Sequence, residues 1–229
     1  MRKLTDENRA ELKGSHGADL RVIELEEYED LVVVVKRPSL KAWAAAFDGI
    51  GKPATRADAL HNLLIDCAVW PSPSELATLL DLVPALPDTV WPVLAELAGA
   101  PDEEIQPIEP SKLTGEDRAA LAAAGLTEAQ LQDLVSAHPR RGQLAIVRVP
   151  GGFWLLKRPS VSRYNAFRRL SALGKMFEGL HKMTLGSVLW PNEETVGAVV
   201  ERAPGLASAV GEVLMSMAGE GARVRVGGI

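Results

Sequence analysis

Lys36-Arg37-Pro38-Ser39 and Lys157-Arg158-Pro159-Ser160 are the same four residues met twice, and the neighbourhood of each is repeated as well. Downstream, Leu60-His61 returns as Leu180-His181, Trp70-Pro71 as Trp190-Pro191, and Ala98-Gly99 as Ala218-Gly219. Upstream, Lys3-Leu4-Thr5 with Arg9-Ala10 and Leu12 returns as Lys112-Leu113-Thr114 with Arg118-Ala119 and Leu121. The spacing changes between these landmarks and not within them, so insertions fall between elements. A repeat of about a hundred residues can bury a core of its own, which predicts two tandem domains and excludes a solenoid. The expected organisation is a first repeat over 1–100, a Pro- and acid-rich linker over 101–111, and a second repeat over 112–229.

Within each repeat the local signals agree. A short helix capped by Thr opens the unit (Thr5 to Leu12; Thr114 to Leu121), with acids in its first turn. The second repeat then carries extra residues, Ala122 to Asp133, where Thr127-Glu128-Ala129-Gln130 reads as a capping box. A β-hairpin follows, Leu20 to Leu25 with Leu31 to Arg37, and Leu144 to Val149 with Phe153 to Arg158. A lone hairpin is barely stable, so it must pack on helices or pair with another edge. Pro38-Ser39 and Pro159-Ser160 end the strand and cap a helix carrying Trp43 and Phe47, or Tyr164 and Phe167. A third element is read from Arg56 to Val69 and from Met176 to Leu189, closed by Trp70-Pro71 and Trp190-Pro191. Two further helices follow, the last with a stripe of Leu86, Val90, Val93, Leu94 and Leu97, matched by Leu206, Val210, Val213, Leu214 and Met217. Pro92 fits that helix only if it starts near Asp88. The fold class expected is helix-rich α+β: two tandem copies of a β-hairpin plus helical-bundle domain related by internal duplication. Its repeated framework is Arg37, Pro38, Ser39, Trp70 and Pro71, with Arg158, Pro159, Ser160, Trp190 and Pro191.

Composition narrows the function. Hydrophobic residues are 47% and charged residues 24%, ordinary for a globular chain. No apolar run is long enough to span a membrane, and no signal peptide is visible. Cys67 is the only cysteine, which excludes a disulfide framework and fits a reducing cytoplasm. Cys67 reads as a buried small residue. The net charge of −5 hides a split. Residues 1–110 hold 10 basic and 20 acidic side chains, and residues 111–229 hold 15 and 10. An acidic and a basic copy of one fold should attract each other, within a chain or between chains. The overall acidity weighs against nucleic acid as a partner.

Chemistry-bearing motifs are scarce. The four histidines form two repeated pairs, His16 with His138 and His61 with His181, but Asn62 and Asp66 become Lys182 and Gly186, so no ligand set recurs. His61 therefore reads as a half-buried, hydrogen-bonded helix residue. No metal-ligand, phosphate-loop or catalytic pattern is found, and no catalytic, metal or cofactor residue is expected. Lys36-Arg37 and Lys157-Arg158 read either as grips for phosphate or carboxylate, or as the solvated end of a strand.

The order of these elements carries a resemblance. Leu4 to Leu12, Arg37-Pro38-Ser39, Cys67 to Leu76 (Cys-x-x-Trp-Pro-Ser-Pro-x-Glu-Leu), Pro84-Ala85-Leu86 and Leu97-Ala98-Gly99 resemble the small tail assembly chaperones of long-tailed phages. Members usually carry one such domain, and this chain carries two. The resemblance implies a non-enzymatic protein that binds an extended client such as a tape-measure protein. It would self-associate or recruit tail-tube or sister subunits, in the host cytoplasm or within a phage-like particle. The alternative is a permanent structural component of a phage tail, gene-transfer particle or contractile injection device. For self-association, the acidic hairpin turn Glu26, Glu27, Glu29 and Asp30 is expected to meet a basic face at Arg163, Arg168 and Arg169 of a neighbouring copy.

Overall fold

The computed structural model describes residues 4–17, 19–25, 31–140 and 142–220. The chain forms two compact units, Met1–Ala100 with Glu201–Gly205, and Pro101–Val200 with Leu206–Ile229. Residues 101–111, expected as a linker, lie with the second unit. Ile105 is buried there, and Ile108 exchanges backbone hydrogen bonds of 2.8 and 2.9 Å with Ile146.

The first unit runs α1 (Asp6–His16), β1 (Leu20–Glu24), β2 (Val32–Lys36), α2 (Leu40–Ile50), α3 (Arg56–Cys67), β3 (Ala68–Trp70), α4 (Pro73–Leu82) and α5 (Leu86–Leu97). In the second, a 3-10 turn at Pro110–Lys112 precedes α6 (Gly115–Ala123) and α7 (Glu128–Ala137). Then come β4 (Leu144–Val149), β5 (Gly152–Lys157), α8 (Val161–Ala172), α9 (Met176–Ser187), β6 (Val188–Trp190), α10 (Glu193–Arg202) and α11 (Gly205–Ala218). The fold is helix-rich α+β, as expected.

The hairpins do find a third strand. Both sheets are antiparallel, ordered β1-β2-β3 and β4-β5-β6. Val34 pairs with Trp70 and Val35 with Ala68, while Leu155 pairs with Trp190 and Leu156 with Val188, each with a register shift between the two rungs. The peptide bonds before Pro71 and Pro191 are both cis. The expected third element was too long: its helix stops at Cys67 or Ser187, and the next three residues are extended. Short β-branched and aromatic segments pair with an open edge when one is offered, overriding the helical period that precedes them.

Helix α5 also departs from expectation. It starts at Leu86 with Pro87 in its first turn, so Pro92 lies inside the helix. Pro87 needs no N–H donor at that position, which extends the helix back and moves Pro92 inward.

Each unit closes around its own apolar cluster. In the first, Val33 and Val35 of β2 pack with Leu63, Leu64 and Cys67 of α3, Leu76 and Leu79 of α4, and Leu86, Val90 and Leu94 of α5. Trp43 is 2% exposed and stacks on Trp91, ring centroids 5.2 Å apart and planes at 9°. Such a pair contributes about 0.5–1.5 kcal/mol beyond its buried area. In the second unit Leu113, Leu121, Leu126 and Leu131 pack on Leu144, Ile146 and Leu155.

The crossing between the two helices after the hairpin is tight in both units, with the small residue on opposite partners. A Cβ on Gly49 of α2 would lie 2.6 Å from the Ala59 Cβ of α3. In the second unit the glycine is on the later helix: a Cβ on Gly179 would lie 2.9 Å from Phe167 and 3.4 Å from the Leu170 Cβ. Gly49 matches Leu170 and Ala59 matches Gly179 in the repeat, so bulk moves from one helix to the other across the same crossing.

Candidate functional site

The corner where the hairpin hands over to the next helix is built alike in both units. Strand β2 ends at Lys36, Pro38 is buried, and the Ser39 hydroxyl accepts the Ala42 N–H at 3.1 Å. Strand β5 ends at Lys157, Pro159 is buried, and the Ser160 hydroxyl accepts the Arg163 N–H at 3.3 Å. Both seryl caps satisfy a helical donor that the preceding strand cannot. The arginines differ. Arg37 pairs with Asp19 at 3.0 Å. Arg158 is exposed, and among the described residues its guanidinium has no carboxylate partner.

Around Arg158 the second unit forms a cavity of about 470 Å³. Lys157, Arg158 and Arg163 supply its positive charge, and Ser160, His138 and Ser187 complete the wall. The His138 Nδ1–H donates to the Leu134 carbonyl at 2.9 Å, since a carbonyl oxygen can only accept. Arg163 lies across α9 where Gly186 has no side chain: a Cβ there would fall 1.0 Å from the guanidinium. The floor residue Ser187 is fully buried and its Oγ has no protein hydrogen-bond partner. In the first unit the matching residues are Ala42, Asp66 and Cys67. Cys67 is buried, and burial pushes its thiol up to about 12, with Asp66 adding to the shift, so the sulfur stays protonated and unreactive.

The first unit offers a different concavity, an apolar groove of about 330 Å³ between α3 and α4. Ile65, Leu76 and Leu80 form its sides, Pro71 and Pro73 one end, and His61 and Asp81 its polar rim. Ile65 is 47% exposed, large for an isoleucine on a helix that otherwise buries Leu60, Leu63 and Leu64.

The expected site residues separate. Glu26, Glu27, Glu29 and Asp30 lie outside the described residues. Arg163, Arg168 and Arg169 are all exposed on α8, but at 100° per residue they project in three directions, and Arg163 alone of the three lines the cavity. Of the framework, Trp70 and Trp190 are half-buried strand ends, while Pro71 is buried and Pro191 half-buried. His61 is not half-buried: it is exposed, because it lies on the side of α3 away from the buried Leu60, Leu63 and Leu64. His138 and His181 are half-buried. The contribution of Ser187, Gly186 and His138 to one cavity went unread, although the paired exchange of Ala42 for Arg163 and Asp66 for Gly186 signals it.

Among the described residues no three His, Cys, Asp or Glu side chains gather as a metal site, and no helix is long and apolar enough to cross a membrane. Comparison with known proteins finds no matching family model, and no matching curated protein or solved structure.

Proposed function

We propose that the chain is a non-enzymatic assembly chaperone or adaptor of the phage-tail type, built from two descendants of one module, that holds an extended polypeptide client. The apolar groove of the first unit carries this reading. An apolar cleft with Ile65 exposed on one side and the buried Leu76 and Leu80 lining it suits the i, i+3, i+4 side chains of an amphipathic client helix, of the kind that tape-measure polypeptides supply. The residue order around Arg37-Pro38-Ser39 and Cys67 to Leu76 is the second support.

The test is co-expression with a long helical tape-measure polypeptide, followed by sedimentation and native mass measurement. The chain should keep the client soluble in a defined complex, and Ile65→Glu should return it to the pellet while the variant itself stays folded. A client equally soluble without the chain, or held equally well by the variant, would defeat the reading. Recovery of the chain from finished particles would instead make it a permanent structural component of the tail or device.

A further inference from the structure

We propose that the cavity at the Lys157–Ser160 corner of the second unit is a binding site for carboxylate side chains of an acidic peptide segment, whatever client the first unit holds.

Three independent features converge there. The first is unspent positive charge. Several cations elsewhere in this unit are neutralised: Lys175 and Lys182 both meet Glu178, Arg148 meets Asp117 and Arg118 meets Glu128. Lys157, Arg158 and Arg163 share one cavity, and among the described residues none of the three has a carboxylate within 4.0 Å. Like charges held together without a counter-charge raise the local potential and favour an anion.

The second is a helix start. Helix α8 is 12 residues long, and its first turn forms part of the wall. Ser160 occupies the Arg163 N–H with its hydroxyl and the Tyr164 N–H with its carbonyl, leaving the N–H groups of Val161 and Ser162 without intrahelical partners. The third is Ser187, fully buried in the cavity wall with an Oγ that no protein group satisfies. A buried hydroxyl without a partner is costly, and an oxyanion in the cavity supplies the missing acceptor.

The first unit shows that this is not the generic chemistry of the corner. Its arginine is paired to Asp19, and Asp66 stands where Gly186 makes room for the Arg163 guanidinium. Carboxylates fit better than phosphate. Among the described residues there are two free amides and no glycine-rich cradle, whereas two planar guanidinium forks and an ammonium can each take a singly charged carboxylate. The chain itself contains such a partner sequence, Glu26-Glu27-Tyr28-Glu29-Asp30.

The test is a titration of the full chain with the synthetic peptide Leu-Glu-Glu-Tyr-Glu-Asp-Leu, the sequence of residues 25–31, followed through backbone amide shifts. It is run on the wild-type chain and on one carrying Glu26→Gln, Glu27→Gln, Glu29→Gln and Asp30→Asn, which removes a competing run. The amides of Val161, Ser162 and Arg163 should move, and the peptide with its four acids replaced by amides should bind at least tenfold more weakly. Arg158→Gln with Arg163→Gln should weaken the acidic peptide at least tenfold. Arg168→Gln with Arg169→Gln, which removes an equal charge outside the cavity, should weaken it no more than about twofold. Ser187→Ala, with a hydroxyl-sized loss and an intact fold, should weaken it several-fold. Absence of binding in both chains, equal binding of the neutral peptide, or equal losses in the Arg168–Arg169 and cavity variants would overturn the proposal. So would inorganic phosphate shifting these amides when the acidic peptide does not.

Discussion

Strand β1 leaves Arg21, Val22 and Glu24 exposed, whereas β4, the matching strand of the second unit, buries five of its six residues. The difference has a local origin. Helix α1 buries none of its residues, but α6 buries Leu121 and Asp117, and α7, which begins among the residues that the second repeat adds, contributes Leu131. Ile108 also pairs with Ile146 on the outer edge of β4, while among the described residues no strand pairs with that edge of β1. Helices α6 and α7 and the segment at Ile108 thus cover a strand whose counterpart in the first unit is exposed. The same framework supports two surfaces: an open sheet and an apolar groove in one unit, a covered sheet and a basic cavity in the other. Open apolar surface and unspent charge are what a protein that holds other polypeptides needs.

The largest expected effect separates the two aromatic sites. Trp43→Ala removes a fully buried indole and its stack on Trp91, and should cost about 3–5 kcal/mol in denaturant unfolding. The matching Tyr164 is half-buried, tilted at 41° to Phe167, with its hydroxyl on Glu220, and Tyr164→Ala should cost about 1–2 kcal/mol. Equal costs would mean that the units do not differ in the way described.

The helix crossing provides a sharper test. Gly49→Leu forces a side chain against Ala59 and should destabilise the first unit by about 1–3 kcal/mol. Adding Ala59→Gly recreates the Leu170–Gly179 arrangement and should return about 1 kcal/mol, despite the helix penalty of glycine. Additive losses in a double-mutant cycle would show that the two crossings are not interchangeable.

A smaller contrast lies in the opening caps. Thr114→Ala removes a part-buried hydroxyl that accepts the Asp117 N–H at 3.1 Å and should cost about 1 kcal/mol. Thr5→Ala removes an exposed bond to the Asn8 N–H and should cost about 0.5 kcal/mol, near the low end for caps.

The same caps predict a pH dependence confined to the second unit. The Asp117 carboxyl is lowered from 3.8 to about 2, chiefly by the Thr114 hydroxyl and then by Arg148. Because the folded value lies below the unfolded one, its stabilisation is complete above about pH 4 and is lost as the pH falls through about 2. The matching residue Asn8 does not titrate. Amide shifts of α6 should follow this transition, and Asp117→Asn should remove it. A transition unchanged in that variant would assign it to another group.

Much of this architecture can be read locally. Strand pairs end where Pro38 and Pro159 deny a donor, Thr and Ser sit at the caps, and the stripe from Leu86 to Leu97 faces the core. Ala68–Trp70 is not readable, because three residues that continue an apolar helix carry no period of their own; the open edge of β2 decides their conformation. The surfaces were legible only in part. Lys157-Arg158 reads either as an anion grip or as the solvated end of a strand, with nothing in the sequence to choose between them. Its cavity is completed by His138 from the end of α7 and Ser187 from the end of α9, distant in sequence and unremarkable in type. The apolar groove was hidden for a different reason. The helical period puts Ile65 off the buried face of Leu60, Leu63, Leu64 and Cys67, but only the fold shows that α4 leaves a groove beside it.

Hydrogen–deuterium exchange on the full chain, with and without a bound tape-measure-type polypeptide, tests most directly whether the two unlike surfaces hold polypeptide. Slowed exchange is predicted across residues 61–81, along the groove, and across 157–163, at the basic corner. A complex that forms while both segments exchange as fast as in the free chain would contradict the account.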